Sequence, residues 1–180
     1  MKTEQDIDMK KVFLFSSLAV ASFLISGVAN AVEKVFFPVN KHPEPQVVQK
    51  SDWKGCYRGH HVPEIPQDFY DMMVVTADGN KPKLEDVKKV LMLAASDTGW
   101  EVQKIVEDGQ AGKFIATKNV HNKHSMTVQV YYSPEKFSII YLSSSNLSEA
   151  NCGGRIFLHR NYNVWVNQLK TAMSRQLMIM

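Results

Sequence analysis

Four of the chain's six histidines fall into two close pairs, His60-His61 and His121-x-x-His124. Imidazole nitrogen suits zinc, copper or nickel, and two pairs brought together by folding supply the three or four ligands that such an ion needs. No cysteine or carboxylate joins them at a recognisable spacing, and both pairs sit in polar stretches. The plainer reading is four solvated surface histidines. A second candidate runs from Cys152-Gly153-Gly154-Arg155, through a short apolar stretch, to His159-Arg160-Asn161. A helix starting there presents free backbone N–H groups, and Arg155, His159, Arg160 and Asn161 beside them could bind a phosphate or carboxylate. Cations at a helix N-terminus oppose its dipole unless something anionic offsets them. The plainer reading sends Arg160 to solvent and gives His159 a hydrogen bond to a neighbouring strand or to Asn163. An acidic partner within the chain is a third.

Cys56 and Cys152 are the chain's two cysteines. In an oxidising compartment an isolated pair bridges, and closing a loop of about 100 residues stabilises by about 4.7 kcal/mol in the chain-entropy model. The competing reading, a reactive thiol, needs a nearby base, and neither cysteine belongs to a C-x-x-C pair. No catalytic constellation assembles. Ser143-Ser144-Ser145 lacks the G-x-S-x-G elbow, and Glu85-Asp86 falls on a helix surface where solvation suffices. Neither a Walker A loop nor a dinucleotide-binding glycine pattern occurs, so no cofactor is expected. Trp100, Tyr131, Tyr132, Phe137, Tyr141, Tyr162 and Trp165 could line a ligand groove, but their strand and helix spacings fit ordinary core.

The redox setting that the cysteines require is supplied by the N-terminus. Lys10-Lys11 makes a short positive region, Val12 to Ile25 is almost wholly apolar, and Ala29-Asn30-Ala31 provides the small residues of a signal-peptidase site. The apolar run is short of the roughly 20 residues that a bilayer span needs. Residues 1–31 therefore read as a cleavable secretory signal rather than a retained anchor, and the chain is expected in the periplasm with no stable membrane span. Glu4, Asp6 and Asp8 precede the positive region, which is explained if translation starts at Met9. The signal carries three lysines and three acidic residues, so cleavage leaves the net charge of +3 unchanged. That charge is too small for a nucleic-acid binder.

Residues 32–67 hold Pro38, Pro43, Pro45, Pro63 and Pro66, which exclude a long helix. They read as an irregular, proline-rich arm stapled by Cys56, with Trp53 and Tyr57 as apolar anchors. Residues 68–180 read as one α+β domain. Leu84, Val87, Leu91 and Ala94 recur at helical spacing after Pro82 and before Gly99, which predicts a helix over 83–97. Trp100 to Val106, Phe114 to Thr117, Met126 to Tyr132 and Phe137 to Leu142 alternate as strands separated by Asp108-Gly109, a polar loop and Ser133-Pro134-Glu135-Lys136. Asn161 is the expected cap of a closing helix whose apolar stripe runs from Tyr162 to Leu177. The expected fold is a two-layer sandwich ordered α-β-β-β-β-α, an antiparallel four-stranded meander covered by two helices.

The stretch from Val87 through Gly99-Trp100, with Leu158-His159-Arg160-Asn161-Tyr162-Asn163-Val164-Trp165, resembles a group of small bacterial exported proteins and lipoproteins. In that group a GW follows the first helix and an IH-x-NYN-x-W element opens the last. The similarity covers residues 84 to 177. This chain has Leu158 in place of isoleucine, lacks the lipidated cysteine and adds the arm. The resemblance implies a Gram-negative periplasm and the α+β fold, and it implies no activity. The expected function is a non-catalytic binding or accessory domain with a protein or small-molecule partner in the cell envelope. A metal-binding protein using His60, His61, His121 and His124 is the alternative, and a hydrolase a more distant one.

Overall fold

A computed structural model describes residues 33–39 and 48–180. The expected signal, residues 1–31, and Pro43 and Pro45 of the expected arm lie outside them. In chain order the elements are α1 (Lys50–Trp53), β1 (Pro63–Glu64), β2 (Phe69–Met73), α2 (Leu84–Asp97), β3 (Glu101–Glu107), β4 (Gly112–Val120), β5 (His124–Tyr132), β6 (Lys136–Ser145), β7 (Ala150–Cys152), β8 (Arg155–His159) and α3 (Asn161–Met178). Among the described residues the fold is α+β, and every strand pair is antiparallel. It is larger than the expected four-stranded meander. β2 adds a fifth strand to give the order β2-β6-β5-β4-β3, and β1-β8-β7 forms a second sheet.

The main sheet follows from alternation and turn chemistry. Along β4 and β5, Phe114 lies opposite Val130 and Ala116 opposite Val128 on the buried face, while Thr117 and Thr127 pair hydroxyls on the other. Between β3 and β4, Asp108 Oδ1 accepts the N–H groups of Gln110 and Ala111, both at 2.9 Å, and Gly109 takes φ +87°. Only a residue without a side chain adopts that backbone without strain. Both edge strands of the sheet are bulged, at Asp71 in β2 and Lys104 in β3, each with positive φ. A bulge twists an edge away from further pairing, so the edges of this sheet are guarded.

The helices cover one face. α2 ends where Gly99, φ +77°, lets the Trp100 N–H reach the Ala95 carbonyl at 2.9 Å. Its Lys88 pairs with Glu85 and Glu107, and Glu107 also accepts the Tyr132 hydroxyl, which ties the helix to the sheet. α3 buries Tyr162, Val166, Leu169, Met173 and Leu177, spaced three or four residues apart. Each such side chain contributes about 1.5–3 kcal/mol on burial. The small sheet has its own cluster of Tyr57, Cys152 and Phe157, with Trp53 and Ile65 packed against it. Cys56 and Cys152 are disulfide-bonded, their Cα atoms 5.8 Å apart.

Candidate functional site

The site takes shape where β8 meets α3. In β8, Ile156 and Leu158 pack on the main core while Phe157, on the opposite face, packs on the small one, so a single strand serves both. That fixes His159 at the junction. Its N–H donates to the Leu147 carbonyl at 2.8 Å, and Pro63 of β1 lies opposite it. Two residues before Pro63, His61 sets its ring edge-on to the His159 ring, with centroids 4.9 Å apart and an interplanar angle of 85°. His124 Nδ1–H donates to the Asn146 carbonyl at 2.7 Å. Adjacent residues of one loop, Asn146 and Leu147, thus position His124 and His159.

The start of α3 is capped in an unexpected way. Arg160, not Asn161, occupies the N-cap position, with helical backbone angles (φ −48°, ψ −26°) and no side-chain cap. Asn161 is the first helical residue, and its N–H donates to His159 Nδ1 at 3.1 Å. An N–H donor there requires Nδ1 to be unprotonated, so the neutral ring carries its proton on Nε2. Burial holds His159 below the ordinary histidine range, and the positive charge of His61, His124 and Arg160 adds to that, with Glu64 opposing. Glu64 is itself engaged, because its Oε2 accepts from Asn163 Nδ2 at 2.7 Å.

Asn163 accounts structurally for much of the N-Y-N element. Its Nδ2 also donates to the Ile65 carbonyl at 3.0 Å, and its Oδ1 accepts the Gln67 N–H at 2.8 Å. Asn167, one turn on, donates to Gln67 Oε1. Tyr162 is fully buried, edge-on to Tyr141 with centroids 5.1 Å apart. Beyond it lies a polar cluster. Asp68 accepts the Tyr141 N–H at 2.7 Å and the Tyr70 hydroxyl at 3.1 Å, and Glu149 accepts the hydroxyls of Tyr141 and Ser144. Burial raises Asp68 above the usual carboxylate range against the pull of those bonds. Burial first, and then the Asp68 charge and hydrogen bond, push the Tyr70 phenol up to about 12.

The structure redraws the sites expected from sequence. His60, His61, His121 and His124 do not form a ligand set, since among the described residues no three histidine, cysteine or carboxylate groups gather closely enough to hold a metal. His121 sits in an exposed turn at φ +52°, and His124 gives its Nδ1–H to Asn146, which leaves Nε2 free. Of the anion-binding quartet, Arg155 belongs elsewhere. It lies opposite Cys152 at the far end of β8, about 13 Å along the strand from His159, and approaches Asp52 at 3.7 Å. His159, Arg160 and Asn161 do cluster, joined by His61 and His124. The aromatics divide between core and surface. Trp100, Tyr132, Phe137 and Tyr162 are buried, whereas Tyr131 faces outward against Phe37. Glu64 and Asn163 were missed as site residues, because only the i, i+4 spacing of Asn163 and Asn167 hinted at a shared contact. A search of protein-family models, curated proteins and solved structures finds nothing that matches the chain.

Proposed function

We propose that residues 48–180 form a non-catalytic binding domain of an exported, periplasmic protein, and that it recognises an anionic group at the junction of β1, β8 and α3. The observation that carries this reading is that His61 packs on His159 beside Arg160 at the start of α3, with His124 held by the same Asn146-Leu147 loop and the Glu64 carboxylate already engaged by Asn163. Imidazole N–H groups and a guanidinium beside a helix N-terminus are the donors that a phosphate or carboxylate requires. The disulfide and the Ala29-Asn30-Ala31 sequence support export. A non-catalytic role is favoured because Ser144 is held by Glu149 and Tyr141 rather than by an imidazole.

Thermal unfolding of the native chain and of Arg160→Gln, with and without phosphate at fixed ionic strength, tests the site. Without phosphate, Arg160→Gln should be the more stable by about 0.3–1 kcal/mol at low salt, because a cation no longer opposes the helix dipole. Phosphate at ten times its Kd should stabilise the native chain by about 1.4 kcal/mol and the variant by much less. Equal phosphate shifts in the two proteins would return Arg160 to the role of a solvated surface charge.

A further inference from the structure

His159 does two jobs with one ring. Its Nδ1 accepts the first amide of α3, and its edge-to-face contact with His61 lies against the chain that leads into β1. We propose that His159 is an acid-sensitive latch, whose protonation at Nδ1 uncaps α3 and releases residues 58–64 from β8. This goes beyond the anion reading and stands on different geometry, since it needs no ligand.

A neutral ring can accept the Asn161 N–H, but an imidazolium has a hydrogen on both nitrogens and can accept nothing. Protonation would set two N–H groups against each other across 3.1 Å and force the ring to turn. It would also place a full positive charge at the positive end of an 18-residue helix. His61 packs against the ring, and the other charged or titratable groups that act on it are Glu64 from β1, His124 from β5 and Arg160 at the N-cap of α3. Of these, Arg160 carries a fixed positive charge. The one anion, Glu64, shares its carboxylate with Asn163, so relief of the new charge falls to movement of His61.

The segment that carries His61 is weakly held. β1 is two residues long, and its Pro63 has no N–H to give to β8. The firmer attachments lie on either side, at the Cys56–Cys152 bond and at the Asn163–Gln67 contact. A two-residue pairing leaves few backbone bonds to break, which is where local opening costs least. Loosening should therefore be confined to residues 58–64 while the flanks stay docked.

The direction with pH follows from the depressed titration of His159. A histidine that binds its proton less readily in the docked form favours docking fully above its ordinary value of about 6.5, and that contribution is lost as pH falls through the lower docked value. Within this window the opening constant should rise by up to about tenfold per pH unit.

Nitrogen-15 relaxation of residues 58–64 and of the Asn161 amide, followed from pH 7.5 to pH 5 alongside the imidazole resonances, tests the latch. The buffers should contain neither phosphate nor carboxylate, so failure of the anion reading leaves this test intact. In the native chain residues 58–64 should be as rigid as the sheet at pH 7.5 and become mobile as His159 itself titrates, below 6.5. His159→Asn keeps an acceptor at the position of Nδ1 and cannot titrate, and it should stay docked throughout. Loosening of equal size in His159→Asn would place the trigger elsewhere, with Asp68 the nearest rival, and would overturn the latch. So would a native segment that stays rigid down to pH 5. Should the variant fail to fold, the native titration decides alone, because a His159 midpoint at or above 6.5 overturns the proposal.

Discussion

The core beneath the five-stranded sheet draws fully buried side chains from α2, α3, β4, β5 and β6, among them Leu91, Phe114, Tyr132, Ile139 and Leu169. The cluster under the small sheet has three buried residues, Tyr57, Cys152 and Phe157. The first region is held by apolar area removed from water, a non-directional force that grows with every residue added. The second is held by one covalent bond, a two-residue strand and the side-chain bonds of Asn163. Such attachments are few and individually breakable. Stability is thus concentrated in the body, while the proposed site sits where the body meets a segment that can come away without unfolding it.

The largest effect should come from the body. Phe114 is fully buried and shares the core with Tyr132, its ring 5.9 Å away. Phe114→Ala should cost about 3–5 kcal/mol, the transfer energy of the ring plus the cavity left behind. Urea unfolding should show one cooperative transition at a lower midpoint, with both regions lost together. A loss below 1 kcal/mol would mean that the sheet's core is not the main source of stability.

Next in size is the disulfide. It closes a loop spanning a sequence separation of 96, which contains α2 and six of the eight strands between its ends. Replacing both cysteines with Cys56→Ser and Cys152→Ala should lower global stability by about 2–4 kcal/mol, mostly by freeing the unfolded chain. The native β-sheet signature should persist at neutral pH, while α1 and residues 48–57 lose their fixed position in NMR spectra. Collapse of the whole sheet on losing the bond would erase the distinction between body and segment.

How much of this could be read from sequence depended on whether an element announces itself locally. α2 was legible to within a residue, because Leu84, Val87, Leu91 and Ala94 keep helical period between Pro82 and Gly99. β4 and β5 were legible from strict alternation. β2 was not, because the bulge at Asp71 breaks the two-residue period of Phe69-Tyr70-Asp71-Met72-Met73. β8 hid as an unbroken apolar run, since Ile156, Phe157 and Leu158 each face a core. The cysteine pairing was readable because two candidates allow one bridge. The site itself was the least legible part. His61 and His159 meet through the β1–β8 pairing, and His124 and His159 through their bonds to Asn146 and Leu147, and no local pattern encodes that meeting. His159 was singled out for its charge near the helix dipole, yet its ring also serves as the cap, a role the sequence assigned to Asn161.

The smallest effect expected is also the most selective. Asn163 lies in the first turn of α3 and makes three hydrogen bonds to one short stretch, to Glu64, to the Ile65 carbonyl and from the Gln67 N–H. Asn163→Ala removes all three and leaves the Ile65 carbonyl and the Gln67 amide to find water. The partly buried Ile65 carbonyl that loses its partner costs about 1–3 kcal/mol, with less from the exposed Gln67 amide, and that cost falls on the docked state of residues 64–67 rather than on the core. The variant's unfolding midpoint should therefore move little, whereas hydrogen exchange at the Gln67 amide should quicken by about ten- to a hundredfold, the range that 1.4–2.8 kcal/mol of local stability corresponds to. Glu64 would be released at the same time and could turn toward His159, raising the imidazole's affinity for a proton. A midpoint loss as large as that of Phe114→Ala, with no selective exchange at Gln67, would show that the segment and the body unfold as a single unit.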